Sequence, residues 1–303
     1  MLRCSKEKYW SVILIPVIII IADFDLRAQI DKDSVKTQSS IKTWQLLAVE
    51  GAIYTGSMLA LNEAWYKDYP RSSFHWFNDN DEWLQVDKVG HAYAGYQIAC
   101  QNAYLLRKTG LSRKKALLLS SGMAFAAMSS IELFDGYSAE WGASSGDIIA
   151  NSAGVVLFGV QELLWESQII RMKYGYRASP YASKRPEILG ENMALRLIKD
   201  YNAQSYWLSF SINKVTGLEK IPPWVAFAVG YSAGGMVGGK ENTEPFQNIT
   251  RYRQFLLSPD IDWQSIPTNK KYLKILFRIL NTVKIPLPAL SFQKGGIKLY
   301  GWQ

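Results

Sequence analysis

The stretch Trp224-Val-Ala-Phe-Ala-Val-Gly-Tyr-Ser232 decides the fold class of this chain of 303 residues. Large and small side chains alternate along it, and this period of two predicts a half-buried β-strand. The segments Leu208–Ile212, Asp260–Trp263 and Ile297–Trp302 alternate in the same way. We therefore expect about four or five strands in the C-terminal part of the chain. A basic, Leu- and Ile-rich segment between Tyr272 and Ile285 predicts an amphipathic helix among them.

The region before these strands has a different pattern, because its apolar residues recur at helical spacing. It predicts about four helices, over residues 44–66, 87–107, 112–134 and 144–170. The sequence thus predicts an α+β fold, in which a small-residue-rich bundle of about four helices precedes a β-rich C-terminal region.

The placement of the helices and the shape of the sheet stay open. Small and hydroxyl residues interrupt the helices, which is typical of helices embedded in a membrane and also of a soluble bundle with a tight core. For the strands we expect a small sheet that covers the bundle. An incomplete or oligomeric barrel is the alternative, because a closed membrane barrel takes at least about eight strands.

The N-terminus indicates export. Arg3, Lys6 and Lys8 precede an apolar run at residues 10–22, which has the length of a signal-peptide core. We expect cleavage near Ala28, and the alternative is an uncleaved N-terminal anchor, which Pro16, Asp23 and Asp25 disfavour. The predicted divisions are a signal peptide (1–28), a disordered linker (29–42), a helical domain (43–171), a connection (172–203) and the β-rich region (204–303).

The cysteine content and the net charge exclude several classes of protein. Cys4 precedes the apolar run and would be removed, so the mature chain keeps only Cys100, which excludes an intramolecular disulfide framework and a cysteine-based zinc site. The formal net charge is +8, but the basic residues are scattered and follow no nucleic-acid signature. Membrane lipid or envelope glycan is the expected partner, in the periplasm or outer membrane of a Gram-negative bacterium.

Three predicted helices each carry two polar side chains, three or four residues apart, on one helix face. The pairs are Asp87 and His91 with Lys88 beside them, Glu132 and Asp135, and Asp147 and Asn151. Because isolated ionisable groups are costly to bury, we expect these pairs to face one another.

Such a cluster would have several chemical uses. His91, Glu132 and Asp147 offer the donor set of a metal site with an open position, so one divalent metal ion is a candidate cofactor. Without metal, His91 could act as a general base. The catalytic candidates are His91, Glu132, Asp135 and Asp147, and the ligand-binding candidates are Lys88, Asn151 and Asp87. The alternative is a closed hydrogen-bond network that only fixes helix register.

Three other features receive simpler interpretations. His75 lies among aromatic residues in a loop and is expected to be an exposed interface residue. Asp260 and Asp262 share a strand face and are expected to be exposed to solvent, with a cation site as the alternative. The glycine-rich stretch 234–239 indicates a hairpin or loop, and it lacks the Lys-Ser/Thr pair of a phosphate loop.

The motifs at residues 87–96, 132–135 and 145–154 together resemble the YfiM-like predicted periplasmic lipoproteins, a bacterial domain family of unknown function. Their order is distantly similar to that of the VanZ-like membrane proteins. The resemblance covers about residues 44–166, and it implies the bundle, the envelope location and the joint importance of the six polar residues Lys88, His91, Glu132, Asp135, Asp147 and Asn151. It implies no established activity. The chain lacks the lipid-anchor cysteine of the lipoprotein members, and its β-rich region looks like that of longer versions in Bacteroidetes-type bacteria.

These observations predict a non-catalytic, membrane-associated scaffold or a lipid- or glycan-binding module. The alternative is a metal-assisted hydrolase of an envelope lipid or glycan that uses His91 and the neighbouring carboxylates.

Overall fold

The computed structural model describes residues 41–67 and 69–301. The predicted signal peptide and nearly all of the predicted linker lie outside the described residues. The chain divides into two compact units. The first unit contains residues 41–77 and 98–145 of the described chain, and the second contains residues 78–97 and 146–301.

Four long helices form the N-terminal part of the described chain. They are α1 (Thr43–Leu61), α2 (Val86–Lys108), α3 (Arg113–Gly136) and α4 (Ser145–Leu164). All lie where the sequence predicts helices, although α4 ends at Leu164 because the chain enters the sheet at Ile170. Four shorter helices follow, namely α5 (Pro186–Leu189), α6 (Met193–Lys199), α7 (Ile212–Thr216) and α8 (Lys271–Leu280). The last of these is the predicted amphipathic helix, and it ends sooner than expected.

The second unit contains one antiparallel sheet of six strands in chain order. They are β1 (Ile170–Tyr176), β2 (Gln204–Ser211), β3 (Val225–Gly234), β4 (Tyr252–Ile261), β5 (Ala289–Gln293) and β6 (Gly296–Tyr300). The predicted α+β fold is therefore confirmed. The sheet begins at Ile170, well before the predicted start of the β-rich region at residue 204, and β1 pairs with β2 along its whole length.

One face of the sheet is buried although it is largely polar. Trp207, Ala228, Leu256 and Ala289 form a small apolar cluster on it. Buried serine and glutamine side chains surround this cluster, at Ser205, Ser209, Ser258, Ser291 and Gln254. The ammonium of Lys173 lies 2.8 Å from the carboxylate of Asp260, and both side chains are wholly buried.

This burial corrects the expectation for Asp260 and Asp262. Both side chains are buried and not exposed to solvent, because each carboxylate is paired with cationic side chains of the same unit. Asp260 contacts Lys173. Asp262 lies 3.2 Å from the Arg171 guanidinium and 2.8 Å from the Lys214 ammonium. Ion pairing offsets the cost of removing these carboxylates from water.

The opposite face of the sheet is apolar, and only part of it is covered. Val86 at the start of α2 packs with Tyr206, Ala233 and Met236 in a buried cluster. Helix α2 therefore lies against β2 and the end of β3, which fixes the position of its first turns.

The first unit is held by polar and aromatic contacts between its own segments. The Tyr54 hydroxyl of α1 donates to Ser130 Oγ of α3 at 2.6 Å. In the loop before α2, Phe74 packs against Gly136, where any Cβ atom would clash with the ring. By length and apolar composition, α3 and α4 are the two helices of the described chain that could cross a membrane. Core helices of soluble proteins pass the same test, so both placements of the helices stay predictions.

Candidate functional site

The first turns of α2 and α4 bring a group of polar side chains together in the second unit. Asp87, Lys88 and His91 lie at the start of α2, and Asp147 and Asn151 lie at the start of α4. Asp147 and Asn151 are buried, although the α4 helix is largely apolar. The inward face of α4 is thus its polar face.

Two glycines allow the two helices to approach closely. A Cβ atom on Gly154 of α4 would lie 1.9 Å from the carbonyl oxygen of Ala92, and one on Gly95 of α2 would lie 2.8 Å from that of Asn151. Real Cβ atoms essentially never come so near to a backbone atom, so only glycine fits at these positions. This close approach places side chains from both helices within hydrogen-bonding distance.

The backbone that leads into α2 is strained. Trp83, Leu84 and Gln85 have φ values of 47°, 50° and 63°, a left-handed conformation that is uncommon for residues other than glycine. Trp83 N–H donates to the Gly239 carbonyl at 2.8 Å, and the Tyr231 hydroxyl donates to the Leu84 carbonyl. Residues of the sheet region therefore hold this turn, which immediately precedes Asp87. Such strain is common at functional sites.

Lys88 joins the carboxylates of the cluster. Its ammonium lies 2.8 Å from Asp147 Oδ1, 2.6 Å from Asp79 Oδ2 and 3.7 Å from Asp87 Oδ2. Burial lowers the pKa of Lys88, but hydrogen bonds to Asp147 and Asp79 outweigh it and the pKa is raised above its usual value. Lys88 is therefore a cation whose charge is compensated by carboxylates, which makes it a poor receptor for an anionic ligand.

His91 is oriented by Asn151. Its Nδ1 lies 3.0 Å from Asn151 Oδ1. Because an amide oxygen only accepts, Nδ1 is the donor of this hydrogen bond, and when the ring is neutral its Nε2 keeps the lone pair. Nε2 lies 3.9 Å from Asp87 Oδ1 and 3.8 Å from Asp147 Oδ1. The ring therefore presents a metal-binding nitrogen to two carboxylates.

The two carboxylates differ in their surroundings. Asp87 Oδ1 accepts a hydrogen bond of 2.5 Å from the Tyr201 hydroxyl, and burial keeps the pKa of Tyr201 well above its usual value. Tyr201 is therefore a donor that fixes Asp87. For Asp147, burial raises the pKa to about 7, while His91 in its protonated form and Lys88 oppose the rise.

Asp87, His91 and Asp147 could hold a metal ion. Each offers one ligand atom, and these atoms lie within 4.8 Å of one another. The side chains of His91 and Asp87 are 17% and 20% exposed, whereas that of Asp147 is 6% exposed, so the group opens to solvent on one side. Asn151 Nδ2 is buried beside it without a hydrogen-bond partner among the described residues.

The structure thus brings together five of the seven predicted site residues. Glu132 and Asp135 belong to the first unit. Glu132 Oε2 accepts from the Ser144 N–H at 3.1 Å, and Asp135 Oδ1 accepts from the Tyr66 hydroxyl at 2.6 Å. Within the second unit, the group that could hold a metal is Asp87, His91 and Asp147, and the predicted role of Glu132 as a ligand stays a prediction.

Two further members of the cluster were not predicted. Asp79 lies in the loop before α2 and Tyr201 follows α6, so neither shares a helix face with the predicted residues. The acidic run at residues 79–82 was a signal for Asp79. Tyr201 had no sequence signal, because its contact with Asp87 depends on how the sheet packs against α2.

Comparison with known proteins finds one family model that matches part of the chain. No curated protein matches the chain, and no solved structure matches it. The VanZ-like similarity therefore stays a prediction. Residues 75–161, which contain all seven predicted site residues, match the family model described as "Predicted periplasmic lipoprotein (DUF2279)", as the YfiM-like resemblance predicts, and this family agrees with export to the periplasm or outer membrane.

Proposed function

We propose that this chain is a cell-envelope binding module whose second unit holds a divalent cation between Asp87, His91 and Asp147. The observation that carries the proposal is the convergence of these three ligand atoms within 4.8 Å. Asn151 supports it, because its contact with Nδ1 leaves Nε2 of His91 as the ligand atom.

The charge of the cluster favours a cation. Asp79, Asp87 and Asp147 carry three negative charges when ionised, and Lys88 supplies one positive charge against them. Asp147, whose pKa burial raises to about 7, is partly protonated near neutral pH; with it ionised and a neutral imidazole, three negative charges and one positive charge leave −2, which one divalent ion would neutralise. An anionic ligand without a metal would meet repulsion there.

The donor set and the opening determine what the module would bind. Nitrogen and carboxylate oxygen ligands suit Zn²⁺, Mn²⁺ or Fe²⁺. Three protein ligands leave at least one position of such an ion open. In the binding module, an oxygen atom of an envelope lipid or glycan occupies this open position. The bound ion, and not the Lys88 ammonium, is the cation that attracts this oxygen.

A second candidate is a metal-assisted hydrolase of an envelope lipid or glycan. The same open position favours it, because a divalent ion with three protein ligands can bind water and lower its pKa. The binding module ranks first because Lys88, Asn151 and Tyr201 already occupy the cluster with fixed contacts. Such a closed network also serves to hold α2 against α4.

Metal titration of the full-length chain tests the proposal. We expect calorimetry with Zn²⁺ and Mn²⁺ to show about one bound ion per chain. His91→Ala should abolish this binding while the circular dichroism spectrum is retained. His75→Ala is the matched control, since His75 is the other of the two histidines and belongs to the first unit. Equal binding by wild type and His91→Ala, or none by either, contradicts the proposal.

A hydrolysis assay separates the two candidates. The metal-loaded chain is incubated with envelope lipid extract and with peptidoglycan fragments, and the release of phosphate, fatty acid or sugar is followed by mass spectrometry. The binding module predicts no release above that of the His91→Ala variant. Metal-dependent release by the wild-type chain alone would favour the hydrolase.

A further inference from the structure

The apolar face of the sheet carries exposed side chains on four neighbouring strands. Phe227 and Val229 lie on β3, and cross-strand pairing places the others beside them on the same face. The full set is Phe227, Val229, Phe255, Leu257, Leu290, Phe292, Ile297 and Leu299, with exposed fractions from 38% to 73%. We call this set the outer apolar face.

The polarity of the sheet is the reverse of that in a soluble sheet. Along β4, Gln254, Ser258 and Asp260 point to the buried side, while Phe255 and Leu257 point outward. In water, an antiparallel sheet buries its apolar face and exposes its polar one. The alternation of apolar residues outward and polar residues inward is typical of sheets that contact hydrocarbon. The medium that best fits the outer apolar face is therefore lipid.

A groove in this face has the dimensions of a ligand site. Its volume is about 480 Å³, and it is lined by Val89, Leu208, Val229, Tyr231, Phe255 and Phe292 among others. This volume is within the range of roughly 300–1,000 Å³ found for ligand pockets. An acyl chain fits such a lining, which consists almost wholly of apolar side chains.

The net positive charge of the C-terminal region favours an anionic lipid. Residues 204–303 contain twelve Lys and Arg residues and five Asp and Glu residues, a net charge of +7. Two exposed basic residues adjoin the outer apolar face: Arg253 lies on β4 two residues before Phe255, and Lys294 lies in the turn between β5 and β6. Clusters of basic residues beside apolar surface bind anionic head groups. A second copy of the chain is the poorer occupant, because two such cationic regions repel each other.

We propose that the outer apolar face docks on an anionic lipid membrane, with its side chains among the acyl chains and the basic residues at the head groups. This proposal is independent of the metal site, because none of its residues belongs to the polar cluster.

A fluorescent label at a single position tests the proposal, because it reports on this face even if other segments of the chain also bind lipid. In the full-length chain with Cys4→Ser and Cys100→Ser, an environment-sensitive dye is attached at Leu257→Cys or, as control, at Met193→Cys on α6. Met193 is also exposed, but lies outside the sheet. With phosphatidylethanolamine–phosphatidylglycerol vesicles, we expect a blue shift and quenching by brominated acyl chains at position 257 alone. A label at position 257 that stays in water overturns the proposal.

Variants of the face provide the second measurement. The combined change Phe255→Gln, Leu257→Gln and Phe292→Gln should weaken partitioning into these vesicles by about tenfold or more, whereas Met193→Gln should leave it unchanged. Folding is checked by circular dichroism. Equal flotation of the triple variant and the wild type would overturn the proposal. So would a lipid-free dimer that the triple variant dissociates and that vesicles do not bind, because the face would then be an interface between copies.

Discussion

His91 Nδ1 lies 3.0 Å from Asn151 Oδ1, across the contact between α2 and α4. This single hydrogen bond sets both the tautomer and the direction of the imidazole, so that Nε2 faces Asp87 and Asp147. Asn151 is therefore a positioning residue: it contacts the proposed metal ion only through His91.

Replacing Asn151 by Ala should weaken metal binding without removing a ligand. We expect the dissociation constant to rise by about 10- to 100-fold, the effect typical of losing the partner of a metal-binding histidine. Calorimetric titration measures it. Ser152→Ala is the matched control, because among the described residues the Ser152 hydroxyl donates to the Ile148 carbonyl of its own helix. An unchanged dissociation constant for Asn151→Ala would argue against the orienting role.

Replacing Lys88 by Met should destabilise the metal-free protein and strengthen its binding of a metal ion. Lys88 compensates Asp79 and Asp147, which are 16% and 6% exposed, and breaking a buried ion pair costs about 3–5 kcal/mol. Because the variant has one more uncompensated negative charge, Zn²⁺ should raise its Tm more than it raises that of the wild type. Thermal unfolding with and without Zn²⁺ checks both effects. A Tm that is lowered but unaffected by metal would indicate a structural network only.

The sequence was sufficient to predict most of the elements and much of the site. Period-two alternation identified β2, β3, β6 and the last two residues of β4, because large apolar side chains alternate there with small or polar ones. Strand β1 was assigned to a connection, although Ile170, Met172 and Tyr174 alternate with Arg171 and Lys173. Charged residues at every second position indicate a solvent-exposed face, and only the packed sheet provides the partner that buries Lys173.

The site was predictable where its residues share a helix face. Asp87 with His91, and Asp147 with Asn151, follow from spacings of four along α2 and α4. Which helices approach each other depends instead on tertiary packing, here on the contact at Gly154. Spacing within single helices therefore predicts the polar pairs but not the distances between them.

Acid stability of the second unit should depend on Asp262. Burial raises its pKa, but Arg171 and Lys214 outweigh this and lower it from 3.8 to about 2. The stabilisation is therefore fully present above about pH 4 and is lost as the pH falls through 2, and it amounts to about 2 kcal/mol. Asp262→Asn should lower the free energy of unfolding at pH 7 by at least that amount and remove the dependence between pH 4 and 2. Denaturant unfolding across this range checks it, and an unchanged pH profile contradicts it.

Glu50 should make the first unit less stable as the pH rises, whereas Asp262 makes the second unit less stable as the pH falls. Burial raises its pKa from 4.5 to about 7, and both of its carboxylate oxygens are buried without a hydrogen-bond partner among the described residues. Folding therefore favours the protonated acid, and stability falls as the pH rises from about 4.5 to above 7. With its partial exposure discounted, the loss is about 1–2 kcal/mol. Glu50→Gln should flatten the profile and be the more stable form at pH 8. A wild-type profile that is already flat would disprove this role.

Gly154 should be the position at which α2 and α4 tolerate no side chain. A Cβ atom there would lie 1.9 Å from the Ala92 carbonyl oxygen, which is backbone and has little room to move. Gly154→Ala should therefore separate the helices, destabilise the protein by about 2–4 kcal/mol and weaken metal binding, since His91 and Asp147 lie on opposite sides of this contact. Gly122→Ala on α3 is the matched control, because nothing lies within 4 Å of its added Cβ atom. That change should stabilise the protein by about 0.5–1 kcal/mol through helix propensity alone. If both variants gained stability equally, the close approach of the two helices would not be what assembles the site.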